Sequence, residues 1–460
     1  MKDYDVVVVG AGIVGCSIAW RLSRTNLRIA LIEKGSDVAN GATRANSGIL
    51  HSGIHEEPDS EVFAMCQTGT DWYREWSSRL DFPLQNKATV ILAHNKNSRQ
   101  LLEKMAAAHA QTLQSEMLDQ KATHARWPFL ADSICGALVV ENSAQILPYD
   151  ACRAILENAV SNDLTFLPDC SINQAEDSEG KWVLTTTAGL ISSRYVIIAA
   201  GAGSNEVSRF FALEASYQKL VSGAYYMLAR NIQPELAEIF FTPPSETTKG
   251  IVLQQTIHGN LMLGPDAIAS KDLTDEKLNW NRFCSLWNAC QDIVPQLDRK
   301  EIIRTFTGER VNVGTGFQFD DHLAMKRVLR IDGVKSPGLT AAPAIAMKTE
   351  QMLKEYLNLP AKNSLVETRI SIVGAVAEQH PGELVCRCEK VFMSQIAEAI
   401  RRGADNIETI RWQTRAGMGD CQGSFCRPRL TAILRKTLNL ATSDVKHKNQ
   451  GSQMFTGDLK

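Results

Sequence analysis

The chain opens with two apolar runs that are separated by a glycine-rich turn. Residues 6–9 are four consecutive valines, glycines follow at once, and residues 28–32 are again mostly apolar. This order predicts a buried strand, a helix over residues 13–23 and a second buried strand. Residues 195–200 form another continuous apolar run, which predicts a further parallel strand that is buried on both faces.

The rest of the chain has a less regular pattern. The Lys-, Gln-, Ala- and Leu-rich stretch 96–125 predicts helix, whereas short alternating runs between about 140 and 330 predict strands of a mixed sheet. A domain boundary is expected between about 360 and 384. The tail 441–460 is expected to be disordered, because it is polar and has few apolar anchors.

Length and charge limit the class of protein. A chain of 460 residues is long enough for about two or three domains, and its 49 basic and 51 acidic residues give a net charge of -2. This balance gives no reason to expect nucleic acid or anionic lipid as a partner. No apolar run approaches the roughly 18 residues that span a bilayer, and no signal-peptide cleavage site follows the first strand. The sequence therefore indicates a reducing compartment.

A Gly-x-Gly-x-x-Gly motif joins the first predicted strand to the first helix. Gly10 permits a tight turn, Gly12 lets the backbone approach a pyrophosphate, and Gly15 allows close packing of helix and strand. The helix N-terminus offers amide groups and partial positive charge to the phosphates. Glu33 ends the second strand, at the offset of a carboxylate that binds an adenosine ribose, and its charge disfavours NADP.

Two further segments favour FAD over NAD. Segment 41–48 supplies small and hydroxylated residues that can surround a flavin pyrophosphate. Segment 336–344 predicts a glycine turn and a helix, whose N-terminal amides would face the anionic edge of a reduced flavin. The cofactor contacts predicted in these segments and after the strand at 195–200 are Thr43, Ser47, Gly48, Gly201, Gly338, Leu339 and Thr340.

Four of the eleven cysteines are clustered. Cys386 and Cys388 are separated by one residue, Cys421 and Cys426 by four, and 32 residues lie between the two pairs. Two chelating pairs of thiolates indicate a metal, but their spacing leaves an iron–sulfur cluster, a four-cysteine zinc site and no metal as open alternatives. A flavin in the same chain favours the cluster, because a flavin takes two electrons at once and a cluster passes them on singly.

The residues around these motifs resemble known families. Segment 45–53 reads ANSGILHSG and resembles the D-amino-acid-oxidase-like FAD superfamily, within it the group of glycerol-3-phosphate dehydrogenases/oxidases and L-2-hydroxyglutarate oxidases. Segments 384–389 (LVCRCE) and 414–426 (TRAGMGDCQGSFC) resemble the bacterioferritin-associated-ferredoxin-like [2Fe-2S] domain. The resemblance covers residues 4–436. It implies FAD, a [2Fe-2S] cluster on all four clustered cysteines and oxidation of a secondary alcohol.

The resemblance also implies a substrate site. His51 matches a histidine that glycerol phosphate oxidases place near the flavin, where a neutral imidazole takes the hydroxyl proton. Arg310 lies in a segment similar to the family's F-x-G-x-R and is expected to bind the anionic part of the substrate, with Ser47 also in contact. Relatives commonly carry Lys-Gly where this chain has Ser222 and Gly223, and residues 311–312 also depart from the usual pattern. These departures indicate fewer cations around the pocket.

The sequence thus predicts an α/β fold with a Rossmann-type FAD-binding domain, an inserted mixed-sheet substrate domain and a small C-terminal helical [2Fe-2S] domain. The FAD-dependent region is expected at 1–365 and the cluster domain at 380–440. Within the first region, the Rossmann parts are expected at about 1–85, 145–215 and 325–360, and the substrate domain at about 86–144 and 216–324.

The expected activity is FAD-dependent oxidation of a small anionic secondary alcohol, foremost glycerol 3-phosphate. Hydride is expected to pass to FAD, and electrons to leave through the cluster to another protein chain or a quinone-linked partner. An L-2-hydroxy acid and an amino or imino acid remain open as substrates, as does an electron-relay subunit with a vestigial substrate site. The expected location is the cytoplasm, with any contact to the inner membrane made through a partner.

Overall fold

In a computed structural model, the chain forms two sheets with packed helices and a smaller C-terminal unit. The structure describes residues 1–216, 219–245, 248–270, 278–368, 382–449 and 451–454. The helices are α1 (Ile13–Leu22), α2 (Glu61–Arg79), α3 (Lys96–Ala108), α4 (Gln120–Arg126), α5 (Pro148–Ser161), α6 (Ser204–Phe210), α7 (Trp280–Gln291), α8 (Leu323–Lys326), α9 (Gly338–Lys354), α10 (Met393–Arg401), α11 (Ile407–Thr414) and α12 (Arg427–Thr437).

The strands supply the framework on which these helices pack. They are β1 (Lys2–Val9), β2 (Ile29–Ile32), β3 (Ile49–Leu50), β4 (Leu84–Ala93), β5 (Ser115–Asp119), β6 (Gly136–Ile146), β7 (Thr165–Leu167), β8 (Ile172–Ser178), β9 (Lys181–Thr186), β10 (Gly189–Ile198), β11 (Lys219–Arg230), β12 (Ile239–Phe241), β13 (Val252–Gln255), β14 (Asn260–Leu263), β15 (Ile268–Ser270), β16 (Ile302–Asn312), β17 (Gln318–His322), β18 (Val328–Asp332), β19 (Leu384–Cys386) and β20 (Val391–Phe392).

The first sheet has the parallel centre of a Rossmann-type fold. Strands β18, β10, β1, β2 and β7 lie side by side in that order and run parallel. Val6, Val7 and Val8 of β1 are fully buried, which agrees with the unbroken apolar run. An antiparallel strand, β17, closes one edge. It lies inside the range that the sequence assigned to the substrate domain, so the return to the first sheet begins a few residues earlier than predicted.

The second sheet is mixed and mostly antiparallel. Its order is β15, β11, β14, β13, β12, β4, β6 and β3, with β16 beside β11 and β5 beside β6. Only the β12–β4 pair, among the pairs the structure describes, runs parallel in this sheet. Helix α7 packs on it through Leu286, Trp287 and Cys290, which share a core with Val90 and Leu228. The predicted combination of a parallel and a mixed sheet is therefore confirmed.

Helices α1, α5 and α9 share the core of the first sheet. Ile18, Ile155 and Ile345 belong to the same buried cluster. The backbones of α2 and α9 come very close, since a Cβ atom added at Gly69 would lie 1.8 Å from the carbonyl oxygen of Thr340. This contact fixes the start of α9 against the body of the protein. Within the described ranges, none of the helices has the length and apolar character that crossing a bilayer requires.

The stretch 96–125 is only partly helical, contrary to the sequence prediction. Helix α3 ends at Ala108, and β5 then pairs with β6 from Ser115 to Asp119 before α4 begins. Only Leu118 of the five residues of β5 is buried. The strand therefore depends on pairing with a neighbour that lies about 20 residues further along the chain, and its own sequence carries little signal.

The C-terminal unit consists of the hairpin β19–β20 and helices α10, α11 and α12 around a small core. The apolar residues of that core include Val385, Ile396, Ile407, Leu430 and Leu434. The predicted small helical domain is confirmed. Most of the predicted domain boundary, residues 369–381, lies outside the described residues.

The tail is ordered where the structure describes it, so the expectation of disorder is wrong for residues 441–449 and 451–454. Val445 is fully buried in the C-terminal core, and its carbonyl oxygen accepts a 2.9 Å hydrogen bond from the amide of Met454. The amide of Glu408 also donates to the carbonyl oxygen of His447 at 2.8 Å. Met454 also packs, partly buried, against this core. These two apolar anchors and the backbone bonds compensate for a polar composition. Residues 450 and 455–460 lie outside the described part of the tail.

Candidate active site

A cavity of about 1090 Å³ lies where residues of the two sheets meet, and part of the C-terminal unit also lines it. Eleven of the residues predicted from sequence line it, namely Gly10, Gly12, Glu33, Thr43, Ser47, Gly48, His51, Gly201, Arg310, Gly338 and Leu339. Gly15, Thr340 and the four clustered cysteines are not among the described lining residues. The structure thus brings most of the predicted cofactor and substrate residues to one place.

The glycine motif shapes the end of the cavity near β1 and α1. Gly10 has a φ of +102°, and a Cβ atom there would lie 2.7 Å from the carbonyl oxygen of Ala199. A Cβ atom at Gly15 would lie only 1.8 Å from the carbonyl oxygen of Gly10, so this residue packs α1 against the turn rather than lining the cavity. The hydroxyl of Thr43 accepts a 3.0 Å hydrogen bond from the amide of Ile13, at the start of α1. Small residues and a helix N-terminus therefore surround this end, as a pyrophosphate requires.

Glu33 lies at the end of β2 with both carboxylate oxygens hydrogen bonded. One oxygen accepts from the amide of Ala11 and the other from the amide of Gly35, each at 2.8 Å. Burial raises the pKa of Glu33, and the two amide hydrogen bonds oppose this shift. A carboxylate oxygen has further lone pairs, so Glu33 can still accept hydrogen bonds from the hydroxyl groups of a ribose in the cavity.

The start of α9 forms another wall of the cavity. Ser336, Pro337, Gly338 and Leu339 line it, and no described side chain caps the first amide groups of this helix. Thr340 was predicted to contact the cofactor, but its hydroxyl points to protein. It accepts a 3.0 Å hydrogen bond from the amide of His51 and reaches the carbonyl oxygen of Ile49 at 3.4 Å. A fully buried hydroxyl needs partners, and here the backbone around β3 provides them.

His51 follows β3 directly and faces the cavity. Its Nε2 lies 3.3 Å from the hydroxyl of Ser336, and its ring centroid lies 6.1 Å from that of Phe241. Burial lowers the pKa of His51 well below its usual value, and the positive charge of Lys249 and the neighbouring His55 lower it further. The imidazole is therefore neutral at ordinary pH and can accept a proton.

Cationic side chains also line the cavity, although the departures in sequence indicated fewer of them than in relatives. Lys249, Arg304, Arg310 and Lys335 all line the cavity. Arg310 lies on β16, and its guanidinium donates to the carbonyl oxygen of Asp266 at 3.4 Å. Arg310 forms no ion pair with another of the described residues, and its side chain lines the cavity.

Ser222 is buried beside this region rather than exposed to a ligand. Its hydroxyl and its carbonyl oxygen accept hydrogen bonds of 3.1 Å from Arg282, whose guanidinium also pairs with Asp266 at 2.6 Å. Sequence reasoning did not name Lys249 or Ser336 as site residues. Ser336 begins segment 336–344, which was predicted to face the flavin, whereas Lys249 belongs to no motif that would have identified it.

The four clustered cysteines lie close together in the C-terminal unit as two pairs. The sulfur atoms of Cys388 and Cys421 are 3.6 Å apart, and the thiol of Cys426 is hydrogen bonded to Cys386. That bond and the amides of Gly417 and Glu389 lower the pKa of Cys386 to about 5. No group of three or more potential ligands around a single ion was found in the described residues. Two pairs of thiols with backbone N–H donors fit a cluster of two irons.

One short segment separates the cavity from these thiols. Arg415 and Met418 line the cavity. The amide of Gly417, which lies between these two residues, is 3.4 Å from the sulfur of Cys386. A Cβ atom at Gly419, the next residue after Met418, would lie 2.3 Å from the Cβ atom of Cys388. Residues 415–419 therefore contact the cavity on one side and the thiols on the other.

The C-terminal unit also contacts the loop that holds Thr43. The guanidinium of Arg44 lies over the ring of Trp412 at 4.9 Å and over the ring of Tyr149 at 5.9 Å. It also lies 3.8 Å from the carboxylate of Glu408. Arg44, Glu408 and Trp412 all line the cavity. The loop around the pyrophosphate end is therefore in direct contact with the C-terminal unit.

Two family profiles match the sequence. Residues 5–352 match the FAD dependent oxidoreductase family, and residues 384–436 match the BFD-like [2Fe-2S] binding domain. The first match covers most of the chain. The second covers all four clustered cysteines. The predictions of FAD and of a [2Fe-2S] cluster as cofactors are thereby confirmed.

Similar proteins agree with these matches. A glycerol 3-phosphate dehydrogenase from Caloramator mitchellensis is 28% identical, over 99% of this chain and 99% of that protein. One subunit of the anaerobic glycerol-3-phosphate dehydrogenase of Escherichia coli is 22% identical, over 96% and 90%. Among solved structures, the L-alpha-glycerophosphate oxidase of Mycoplasma pneumoniae with FAD bound has a TM-score of 0.75 and 25% sequence identity, over 80% of this chain and 98% of that one. The chain belongs to the family of FAD-dependent oxidoreductases and carries a C-terminal BFD-like [2Fe-2S] domain.

Proposed function

We propose that this oxidoreductase acts on a small anionic secondary alcohol, with glycerol 3-phosphate as the first candidate, and passes the electrons to a separate protein. The observation that carries the proposal is the neutral imidazole of His51 in a cavity lined by Lys249 and Arg310. The names of the relatives from Caloramator mitchellensis and Escherichia coli support the same substrate.

The residues of the cavity divide into a cofactor set and a substrate set. When bound, FAD supplies an acceptor for the hydride of a secondary alcohol, and the [2Fe-2S] cluster supplies a carrier of single electrons. Glu33, Thr43 and the amide groups at the starts of α1 and α9 would hold the dinucleotide. The cluster would be held by the thiolates of Cys386, Cys388, Cys421 and Cys426.

His51 would take the proton of the substrate hydroxyl at its Nε2 atom. Its depressed pKa keeps the ring neutral. In the tautomer with the proton on Nδ1, the Nε2 atom, 3.3 Å from the hydroxyl of Ser336, can accept a proton. Arg310 and Lys249 would bind the anionic group, because a guanidinium fork and an ammonium together suit a phosphate better than either alone. Ser47 also lines the cavity and would be a further substrate contact.

Anaerobic titration of the flavin-loaded protein tests the substrate. We expect glycerol 3-phosphate to bleach the flavin absorbance within seconds. L-2-hydroxyglutarate and proline, tested at the same concentrations, identify a hydroxy acid or an amino acid substrate instead. If only one of those two compounds bleaches the flavin, the assignment of glycerol 3-phosphate is wrong.

A lysine substitution tests the anion site. Lys249→Met should raise the concentration of glycerol 3-phosphate needed for half-maximal bleaching by about tenfold or more, since a hydrogen bond to a charged group contributes about 1.5–3 kcal/mol. Lys348→Met is the matched control. Lys249 pairs with Glu56 and Lys348 pairs with Glu61, but Lys348 lies outside the cavity lining. Equal values for the two variants would contradict the proposed role of Lys249.

Elemental analysis tests the cluster ligands. Cys426→Ser should lose iron and acid-labile sulfide while it keeps FAD. Cys284→Ser, outside the C-terminal unit, should keep iron, sulfide and FAD. Zinc in place of iron in the unmodified protein would refute this ligand assignment. The exposed position of Cys388 supports electron exit to a partner protein, and the relative from Escherichia coli, which is named as one subunit of its enzyme, supports it as well.

A further inference from the structure

A buried carboxylate beside the thiols connects the C-terminal unit to the second sheet. Glu389 follows Cys388 directly, and its side chain is only 5% exposed. One of its oxygens pairs with the guanidinium of Arg230 and the other with that of Arg415 at 2.9 Å. Arg230 is the last residue of β11, and Arg415 follows α11 with a φ of +65°. The three residues, Arg230, Glu389 and Arg415, are called the charge bridge below.

The charge bridge holds the segment that separates the cavity from the thiols. Arg415 begins that segment, and Glu389 lies against its other end, since a Cβ atom at Gly419 would lie 3.1 Å from a carboxylate oxygen of Glu389. The amide of Gly417, between these two contacts, donates to Cys386. One carboxylate therefore pairs with the first residue of the segment 415–419 and lies against its last residue.

The surroundings make this carboxylate sensitive to the loss of either arginine. A buried carboxylate is unfavourable unless it is paired and hydrogen bonded, and removal of one partner leaves an uncompensated charge. Arg230 belongs to the second sheet and Arg415 to the C-terminal unit, so the pairing is complete only when the two parts keep their relative position. His258, which lines the cavity, lies near the same two arginines. Burial, and then the positive charges of Arg415 and Arg230, lower its pKa to about 3.

We propose that Glu389 is a positioning residue that holds residues 415–419 in place. Electrons cross this segment on their way from the flavin cavity to the thiols. The inference rests on the proposed function, because it requires electrons to move from the flavin to the cluster. In each crossing one electron leaves the reduced flavin and one enters the oxidised cluster. A one-electron oxidant must remove the first electron from the cluster before the second can follow, and solvent takes the protons of the flavin.

Three variants of the holoprotein test the inference. Glu389→Gln removes the charge at the centre of the bridge, and Arg230→Gln removes one partner from outside the C-terminal unit. Glu383→Gln is the control, because Glu383 pairs with Arg429 in the same unit but its side chain is 68% exposed. Iron and sulfide content and the electron paramagnetic resonance spectrum establish first that each variant has kept its cluster.

Two measurements then separate positioning from activity. Hydrogen exchange of the peptide that contains residues 415–419 should become faster in Glu389→Gln and Arg230→Gln and stay unchanged in Glu383→Gln. After photoreduction of the flavin, transfer of an electron to the cluster should slow by about 10- to 100-fold in the first two variants, because small displacements at reacting centres have effects of this size. The rate at which glycerol 3-phosphate bleaches the flavin should not change.

The outcomes distinguish this inference from the proposed function. Unchanged exchange and unchanged transfer in both bridge variants would overturn the role of Glu389. If Glu389→Gln loses its iron, the Arg230→Gln variant alone tests the role of the charge bridge, because Arg230 is remote from the cysteines in sequence and belongs to the second sheet. If glycerol 3-phosphate fails to bleach even the unmodified protein, the substrate proposal fails. Exchange and photoreduction still test the charge bridge in that case, because neither needs a substrate.

Discussion

The hydroxyl of Thr340 gives a sharp test of how the histidine at the active site is held. Thr340→Val keeps the shape of the side chain but removes the acceptor of the 3.0 Å hydrogen bond from the amide of His51. That amide would then be a buried donor without a partner, which costs about 1–3 kcal/mol. We therefore expect the free energy of unfolding of the variant to fall by about 2 kcal/mol.

Thr349 of the same helix provides a matched control. It is also fully buried, but its hydroxyl donates only to the carbonyl oxygen of Ile345, one turn earlier in α9, at 2.9 Å. That carbonyl accepts a helical backbone hydrogen bond in any case, so Thr349→Val leaves no backbone group unpaired. Its free energy of unfolding should change by less than about 1 kcal/mol.

Urea denaturation at a fixed excess of FAD measures both variants under equal ligand stabilisation. Anaerobic stopped-flow bleaching of the flavin measures their function. The Thr340 variant should also bleach more slowly, by about tenfold or more, since the backbone that positions His51 is released. Equal stability and equal bleaching rates of the two variants would refute the idea that Thr340 holds His51 in place.

Two further predictions concern the dinucleotide turn and the pH dependence of stability. Gly15→Ala places a Cβ atom 1.8 Å from the carbonyl oxygen of Gly10 and should abolish FAD binding, which the flavin absorbance of the purified protein measures. Burial lowers the pKa of His55 to about 3, so the unfolded chain binds a proton near pH 6.5 that the folded chain does not. Stability should accordingly fall between pH 7.5 and pH 5, by up to about 2 kcal/mol for this residue, and His55→Asn should reduce that loss in urea denaturation. A stability that rises as the pH falls over this range would contradict the second prediction.

The Rossmann unit was predictable because its signals are local. The four valines, the glycine spacing and Glu33 occur within 33 residues, and each constrains the backbone by itself. The four cysteines were equally visible, because thiol pairs at short spacing are rare and chemically specific. For these features, the physical cause of the structure lies in neighbouring residues of the sequence. Accordingly, the observed helix α1 ends at Leu22, only one residue before the predicted end.

The features that sequence reasoning missed depend on contacts between distant parts of the chain. Strand β5 exists because β6 pairs with it, and Thr340 supports His51 although 289 residues separate them. Lys249 enters the site from a loop before β13, and no local pattern indicates its role. The tail is anchored by Val445, which belongs to the same buried core as residues of α10, α11 and α12, and by Met454, which packs against that core.

The position of Arg44 links the two cofactor regions energetically. The loop that places Thr43 at the dinucleotide also places Arg44 against Trp412 and Glu408 of the C-terminal unit. If FAD binding orders this loop, it therefore also favours docking of the iron-binding unit. By reciprocity, docking of that unit then increases the affinity for FAD.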